Sequence, residues 1–409
     1  MERQIERGCG LDVHRDTVAA CVRVPGAKGQ REQHVRTFGT TAAELLRLRD
    51  WLEAHGVTHV AMESTGVYWK PVFYVLEEAF TCLLVNAAHI KQVPGRKTDV
   101  LDCIWIAQLL EHGLLRGSFV PPAPIWERRD LTRHRKVLIQ ERQRAANRLH
   151  KLLPDAGIKL ASVATDILGV SGRAMLEALV QGTTDPEVLA DLARGKLRKK
   201  LAALRQALAG RFRPHHAFLA SQLLAHVDYR DAAIATVSEE VDARLAPFAS
   251  QLTQLDTVHG IARRTAEVIL AEVGVDMSHF PSDRHLASWA GMCPGNHESA
   301  GKHKSGTTRK GNQWLRMALI EAALGAIRTK DSALAARYRR VMRHRGHKKA
   351  VVAVAHAMLR AVYHVLAEGT PYRDPGPDYY DRRHAHRVTR RAIELLERHG
   401  YRVTLELAA

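Results

Sequence analysis

Four acidic residues in the first quarter of the chain have the types and spacing of a carboxylate site. Asp99 and Asp102 begin an apolar run, T-D-V-L-D-C-I-W-I-A-Q-L-L, and on a helix they would share one face about one turn apart. Asp12 lies in an apolar stretch near the N-terminus, and Glu63 ends another. Because like charges repel at helical spacing, the pair on the helix indicates either a complement to the helix dipole or a shared cation.

The apolar runs predict the elements that would position these acids. Strands are expected at 9–14, 17–24, 31–40, 57–64 and 80–86, and helices at 41–56, 66–79 and from Thr98 onward. The order β-β-β-α-β-α-β-α is that of a ribonuclease-H-like layered domain, although other folds share it.

In a ribonuclease-H-like sheet the first and fourth strands are neighbours and the last helix packs beside them. Asp12, Glu63, Asp99 and Asp102 would then meet, and their mutual repulsion would force some of them to take up protons. Magnesium, or manganese in its place, removes that cost because it binds carboxylate oxygens and shares its shell with phosphates. Two such ions about 4 Å apart stabilise the attacking and leaving oxygens of a phosphoryl transfer. Asp16 is predicted in the turn after the first strand and is left out of the site.

The chain is strongly basic, and its charge is clustered. Its 409 residues carry a net charge of +18, which indicates a polyanionic partner such as nucleic acid. Residues 192–213 and 337–349 hold Lys and Arg with no acid, and residues 127–151 hold nine Lys or Arg against three acids. Aromatic residues make up only 6% of the chain, which argues against single-strand binding by base stacking.

Cysteine usage and hydropathy exclude several classes of protein. The five cysteines are scattered and form no C-x-x-C pair, so a zinc ribbon or a disulfide framework is not expected. No apolar run of membrane-spanning length and no signal peptide is predicted. We therefore expect a protein of the reducing cytosol with no membrane partner.

Beyond about residue 126 the pattern becomes helical. Residues 126–157 combine a broad apolar stripe with a basic face and predict a long helix that forms one arm of a helical pair. On the basic face, Arg135, Lys136 and Arg142 are candidates for nucleic-acid contacts, with ordinary solvation as the alternative. Near residue 255, L-D-T-V-H-G-I-A-R-R-T-A-E-V-I-L-A-E-V-G predicts a helix, a glycine turn and a second helix, which is either a helix-hairpin-helix element or a plain helical hairpin.

Five segments in a fixed order resemble one known family. They are G-L-D-V-H-R-D, A-M-E-S-T-G-V-Y-W, K-T-D-V-L-D-C-I-W-I-A-Q-L-L, G-I-A-R-R-T-A-E-V-I-L-A-E-V-G, and the stretch from C-P-G-N-H-E-S-A-G-K to L-I-E-A-A. Over residues 5–365 the chain resembles the bridge-RNA-guided DEDD-type insertion-sequence transposases and recombinases, the insertion-sequence-one-ten family, which includes the Piv-type DNA invertases. The resemblance implies a RuvC-like domain in which Asp12, Glu63, Asp99 and Asp102 bind magnesium.

The resemblance also implies a nucleophilic serine, which the S-A-G-K segment assigns to Ser299. Ser305, in K-S-G-T-T, fits that motif less well. A serine hydroxyl needs a base or a metal to become a good nucleophile, and Ser299 has no obvious Asp–His partner in the sequence. Lys302, Lys304, Arg309 and Lys310 are candidates for phosphate or transition-state contacts, and His297 and His303 for proton transfer, with surface roles as the alternative.

The fold class expected is therefore α/β plus α, in four regions. These are a RuvC-like domain at 5–125, a helical, coiled-coil-like assembly and RNA-contact region at 126–250, a mainly helical C-terminal transposase domain at 251–368, and a linker with a short helix at 369–409. The resemblance implies donor and target DNA, a noncoding guide RNA that pairs with both, and a dimer or dimer of dimers as partners. The protein would then contact mainly nucleic-acid backbone and shape.

Two other functions fit part of the pattern. A RuvC-type metal-dependent nuclease or junction resolvase needs the four acids but no serine. A nucleic-acid-binding protein that keeps the fold without activity needs neither.

Overall fold

The structure is a computed structural model that describes residues 4–26, 30–63, 66–86, 102–121, 123–295, 297–299, 302–308, 310–383 and 385–404. The chain divides into two compact units, Met1–Val120 and Pro121–Ala409. The finer division into four regions stays a prediction.

The N-terminal unit is built on a five-stranded mixed sheet. Its strands are β1 (Gly8–Val13), β2 (Thr17–Pro25), β3 (Arg31–Gly39), β4 (His59–Glu63) and β5 (Thr81–Val85), and they lie in the order β3-β2-β1-β4-β5. β1, β2 and β3 form an antiparallel meander, whereas β4 runs parallel to both β1 and β5. Helices α1 (Ala42–Ala54), α2 (Trp69–Leu76) and α3 (Asp102–Glu111) complete the unit. The predicted order of elements is confirmed.

Helices cover the sheet on both faces. On one face, the α1 residues Leu45, Leu48 and Leu52 and the α2 residue Leu76 are buried against the strands. On the other face, α3 packs its own apolar side chains against the sheet. The N-terminal unit is therefore an α/β layered domain, and α3 forms the layer that faces the centre of β1.

The C-terminal unit is almost wholly helical. Two long helices, α4 (Ala123–Asp155) and α9 (Pro214–Leu245), pack against each other along their lengths. Ion pairs link Glu127 to Arg244 and Glu141 to Arg230, at 2.8 Å each. Because position numbers rise on one helix as they fall on the other, the two helices run antiparallel. This confirms the predicted long helix as one arm of a helical pair.

Short helices close the far end of this pair. They are α5 (Leu160–Val163), α6 (Val170–Val180), α7 (Pro186–Asp191), a 3₁₀ turn (Gly195–Lys200) and α8 (Leu201–Leu208). Their apolar side chains share one core with the C-terminal end of α4 and the start of α9, including Leu149, Leu153 and Leu224. The pair is thus held together at this end by a small hydrophobic core of its own.

The remaining elements follow α9. They are α10 (Ala249–Asp256), α11 (Arg263–Val273), α12 (Asp283–Trp289), strands β6 (His297–Ser299) and β7 (Lys302–Ser305), α13 (Gln313–Ala326), α14 (Ala333–Glu368), α15 (Tyr379–Arg383) and α16 (Ala385–Arg398), with 3₁₀ turns at Ala246–Phe248 and Met277–His279. The fold class α/β plus α is therefore confirmed.

The predicted helix–glycine–helix unit consists of α10, a turn and α11. In that turn Gly260 has φ +87, and a Cβ atom there would lie 2.3 Å from the carbonyl oxygen of Ala322 on α13. Glycine is needed here because α13 packs directly against the turn. The structure thus gives this glycine a packing role.

One described helix, α14, is long and apolar enough by composition to span a membrane, although the sequence predicted no such segment. Its second half places Val354, Met358, Leu359 and Val362 in the interior of the C-terminal unit, each fully buried. The buried core helix of a globular protein can be as long and as apolar as a membrane-spanning helix, so the composition of α14 alone does not distinguish the two.

Net charge is divided unequally between the two units. Residues 1–120 hold 14 Lys or Arg and 14 Asp or Glu, so the whole excess of +18 lies within residues 121–409. The electrostatic attraction for a polyanion therefore resides in the helical unit.

Candidate catalytic and nucleic-acid-binding residues

Two of the predicted acids lie at the same edge of the sheet. Asp12 is the penultimate residue of β1, and Glu63 is the last residue of β4. The two strands are parallel and paired up to Leu11 and Met62, so Asp12 and Glu63 are the next positions in register. Parallel strands end at a common edge, which here carries both carboxylates.

Helix α3 brings the third acid to β1. Asp102 is its first described residue. At Gly10 of β1, a Cβ atom would lie 2.3 Å from the carbonyl oxygen of Cys103 and 2.4 Å from the backbone nitrogen of Ala107. Only glycine permits a helix backbone to approach a strand this closely. The first turn of α3, with Asp102, therefore lies directly over β1.

The thiol of Cys103, next to Asp102 on α3, is buried. Burial raises the pKa of Cys103, and the negative charge of Asp12 and, to a smaller extent, that of Asp102 raise it further. Asp12 is 18% exposed, and its Oδ2 lies 3.1 Å from Nε2 of His14. The sequence analysis missed this contact, although the two residues lie only two positions apart in D-V-H.

These acids suit a hard divalent cation, which prefers carboxylate oxygens. Asp99 lies outside the described residues. Within the part of the chain that the structure describes, no three His, Cys, Asp or Glu side chains form a metal-binding group. Asp12, Glu63 and Asp102, with Asp99, therefore stay the predicted ligands of such an ion.

Ser299 lies in a β-hairpin, where the sequence predicted only a basic, glycine-containing segment between helices. β6 and β7 pair antiparallel, with Ser299 opposite Lys302 and Glu298 opposite His303. The two strands have three and four residues and no apolar alternation, so the usual strand signal is missing. Lys304 also lies in β7, Lys310 follows the hairpin and is exposed, and Arg309 lies outside the described residues.

The two ends of the hairpin segment are joined by close backbone packing. The amide of Gly295 donates to the carbonyl oxygen of Thr307 at 2.9 Å. A Cβ atom at Gly311 would lie 2.4 Å from the backbone nitrogen of Gly291. The backbone that precedes the β6–β7 hairpin therefore lies in close contact with the backbone that follows it.

A buried carboxylate anchors the C-terminal end of this segment. Asn312 caps α13 by accepting from the amides of Trp314 and Leu315, and its Nδ2 donates to Oε2 of Glu272 at 2.6 Å. Glu272 lies on α11 and is completely buried. Sequence reasoning missed both residues, since an acid in an apolar helix carries no signal of its partners.

Two arginines of α4 neutralise Glu272. Arg133 donates to both carboxylate oxygens at 2.7 Å, and Nε of Arg129 lies 3.2 Å from Oε2. A bidentate arginine pair of this kind fixes geometry as well as charge. The network therefore connects the long helix α4, through Glu272, to Asn312, which lies beyond the β6–β7 hairpin.

The three nucleic-acid candidates on α4 each have a carboxylate partner in the structure. Arg135 is 4% exposed and pairs with Glu267 at 2.6 Å. Lys136 pairs with Glu321 at 2.7 Å, and Arg142 forms two contacts with Asp231, at 2.5 and 3.0 Å. For Arg135 the prediction conflicts with the structure, because its buried guanidinium is not on the surface where a phosphate would bind.

Two family models match separate parts of the chain. The transposase family model for the DEDD domain of IS110 matches residues 9–157, which include all four predicted acids. A second model, described as "Transposase IS116/IS110/IS902 family", matches residues 252–339, which include Ser299. The chain belongs to the IS110 family of transposases.

Two similar proteins span nearly the whole IS110-family chain. A probable family 20 transposase of Pseudomonas aeruginosa is 27% identical over 81% of this chain and 90% of its own. A pilin gene-inverting protein of Moraxella bovis is 22% identical over 89% of this chain and 96% of its own. The Thermus thermophilus RuvC structure matches 27% of this chain and 99% of its own, at 14% identity and a TM-score of 0.21.

Membership in the IS110 family makes this protein a DNA transposase or recombinase, with DNA as its substrate. Its DEDD domain is of a type that uses a divalent metal.

Proposed function

We propose that this IS110-family transposase cuts and rejoins DNA through a covalent bond between DNA and Ser299, guided by a noncoding RNA that pairs with donor and target. Asp12, Glu63, Asp99 and Asp102 would hold magnesium or manganese. The functional unit would be a dimer or a dimer of dimers, acting on the DNA of the bacterial cytosol or nucleoid.

One observation carries the metal part of this proposal. β1, β4 and α3 are contiguous elements, and each contributes an acid near the same sheet edge. Asp12 follows Gly10 by two residues on β1, and Asp102 begins the turn of α3 whose backbone packs against Gly10. Carboxylates brought together in this way repel each other, and a divalent cation offsets the repulsion. A bound ion would also stabilise charge that develops on a phosphate.

The proposed reaction is two exchanges at one phosphorus. The hydroxyl oxygen of Ser299 forms a bond to a DNA phosphate, the bond to one deoxyribose oxygen breaks, and the proton lost by the serine passes to that leaving oxygen. In the second exchange a deoxyribose hydroxyl of another strand attacks the phosphoserine and the proton returns to Ser299. The covalent phosphoserine linkage conserves the bond energy of the cleaved phosphodiester. Rejoining therefore needs no further reactant.

The basic surroundings of Ser299 support phosphate binding. Lys302 is its cross-strand neighbour, and Lys304, Arg309 and Lys310 follow within eleven residues. No acid occurs from Ser299 to Arg316. Cations around a phosphodiester stabilise the additional negative charge of the transition state.

A denaturing gel with labelled donor and target DNA, magnesium and RNA from the flanks of the element tests the proposal. We expect wild-type protein to remain attached to DNA after denaturation, and Ser299→Ala to bind DNA without forming the adduct. Ser305→Ala is the matched control and should keep the adduct. Cleaved DNA ends without attached protein in Ser299→Ala would instead identify a RuvC-type metal nuclease, and no cleavage by any variant would indicate a binding protein.

A further inference from the structure

Helix α14 contains a sharp bend that exposes a cationic tip. At Gly346 the backbone has φ 76 and ψ 171, a conformation that only glycine adopts readily. In a continuous helix, 16 residues span about 24 Å. Yet Nε of Arg337 donates to the carbonyl oxygen of Ala353 at 2.9 Å. The two arms of α14 therefore fold back on each other, and Gly346 lies at the bend.

Side chains brace the two arms. The hydroxyl of Tyr338 and Nδ1 of His347 are 2.8 Å apart, and their rings meet edge to face. Arg337 also contacts Tyr380, both through the hydroxyl at 3.3 Å and over the ring. A braced turn loses little conformational freedom when it binds a partner.

The bend carries a dense positive charge. Residues 342–349 read M-R-H-R-G-H-K-K, and every one of them is exposed. We define the cationic tip as Arg343, Arg345, Lys348 and Lys349. No ion pair within the described part of the chain involves any of these four residues, in contrast to Arg135, Lys136 and Arg142 of α4. No acid occurs between Ala333 and Leu366 in the sequence.

We propose that the cationic tip is a binding site for the phosphate backbone of duplex DNA. The proposal rests on the proposed function and extends it, because none of the tip residues belongs to the serine hairpin or to α4. Cations that lack a protein partner lose no ion pair when they bind phosphate, and their binding releases counterions from DNA. Arg343 and Arg345 precede the bend and Lys348 and Lys349 follow it, so exposed cations come from both arms of α14. Because DNA is the substrate of the IS110 family, the polyanion that meets them is duplex backbone.

Binding of the full chain to a DNA duplex of about three helical turns tests this site. The variant Arg343→Gln, Lys348→Gln and Lys349→Gln removes three exposed cations. The matched control, Arg284→Gln, Arg328→Gln and Lys330→Gln, removes three exposed cations that lie outside the basic clusters at 127–151, 192–213 and 337–349. Anisotropy is measured without divalent metal, so no strand cleavage contributes, at salt from about 0.05 to 0.2 M.

We expect the tip variant to bind duplex at least about tenfold more weakly and to lower the slope of log K against log salt by about 2 to 3, at roughly 0.9 per phosphate contact. The control should keep the wild-type affinity and slope. Equal losses in both variants would mean that only net charge matters, and would overturn the proposal. A larger loss on single-stranded RNA than on duplex DNA would overturn it in favour of an RNA site.

The test is separable from that of the proposed function. If Ser299 forms no adduct but the tip variant lowers the salt slope, the DNA site stands and the serine chemistry fails. If the adduct forms and the tip variant binds DNA normally, the serine chemistry stands and the tip proposal fails.

Discussion

At the scale of single residues, the acids could be proposed from the sequence because their elements have clear patterns. Asp12 and Glu63 follow short apolar runs that the structure shows as paired parallel strands. His14, Glu272 and Asn312 could not be found that way. Their importance depends on partners that lie distant in sequence or carry no periodic signal, such as Asn312 with Glu272, 40 residues apart.

The metal assignment predicts that the loss of one carboxylate strongly weakens the binding of a divalent metal. Asp102→Asn removes a charged ligand while keeping the shape of the side chain, so we expect Mn²⁺ affinity of the full chain to fall about tenfold or more. Asp16→Asn is the matched control, since Asp16 is 84% exposed and, among the described residues, forms an ion pair only with Arg15. Calorimetric titration measures both. Unchanged Mn²⁺ affinity in Asp102→Asn would remove Asp102 from the site.

The Glu272 network predicts a large stability effect in the C-terminal unit. Glu272→Ala leaves Arg129 and Arg133 without their buried carboxylate, and we expect a loss of about 3–5 kcal/mol in the free energy of unfolding. Glu321→Ala breaks an ion pair with the same helix, but Glu321 is 63% exposed. Its loss should be at most about 1 kcal/mol. Urea denaturation compares the two, and equal losses would contradict the anchoring role of Glu272.

At the scale of elements, helix and strand order could be predicted through the N-terminal unit, because apolar runs mark most of its elements, including β1, which is buried on both faces of the sheet. The β6–β7 hairpin could not, since neither of its strands has an apolar side to signal it. The bend in α14 was also missed. Gly346 breaks the helix by its backbone conformation, while the composition on both sides remains helical.

The close approach of α3 to β1 predicts a sensitive glycine. Gly10→Ala places a methyl group against the backbone of α3, which cannot move away cheaply, and we expect destabilisation of about 1–3 kcal/mol. The displaced helix would also separate Asp102 from Asp12 and weaken Mn²⁺ binding. Gly117→Ala is the control, because its Cβ would lie 3.7 Å from the Leu83 side chain. Thermal denaturation and Mn²⁺ titration of both variants decide the point, and a Gly10→Ala variant as stable as Gly117→Ala would contradict it.

At the scale of the whole molecule, the basic composition predicted a nucleic-acid partner correctly in kind, and the family membership specifies DNA. Composition alone did not reveal that the N-terminal unit is neutral and that residues 121–409 carry the full +18. That division required the boundary between the units. It assigns long-range attraction for DNA to the helical unit and leaves the sheet with its carboxylates.

The charge division predicts how the two units bind DNA. A fragment of residues 121–409 should keep most of the duplex affinity of the full chain and a steep salt dependence, because it retains the whole positive excess. A fragment of residues 1–120 should bind at least about tenfold more weakly. Anisotropy titrations over a range of salt measure both fragments. Comparable affinity of the two fragments, or a flat salt dependence of the larger one, would contradict this account.

The central claim is that Ser299 forms the covalent bond to DNA, and peptide mapping of the adduct tests it most directly. After nuclease trimming, trypsin cleaves beyond Lys302, so Ser299 falls within the peptide 285–302 and Ser305 falls outside it. Tandem mass spectrometry should find the residual nucleotide phosphate on Ser299 of this peptide. A nucleotide on Ser305 or on any other residue, or cleaved DNA with no modified peptide at all, would contradict the assignment.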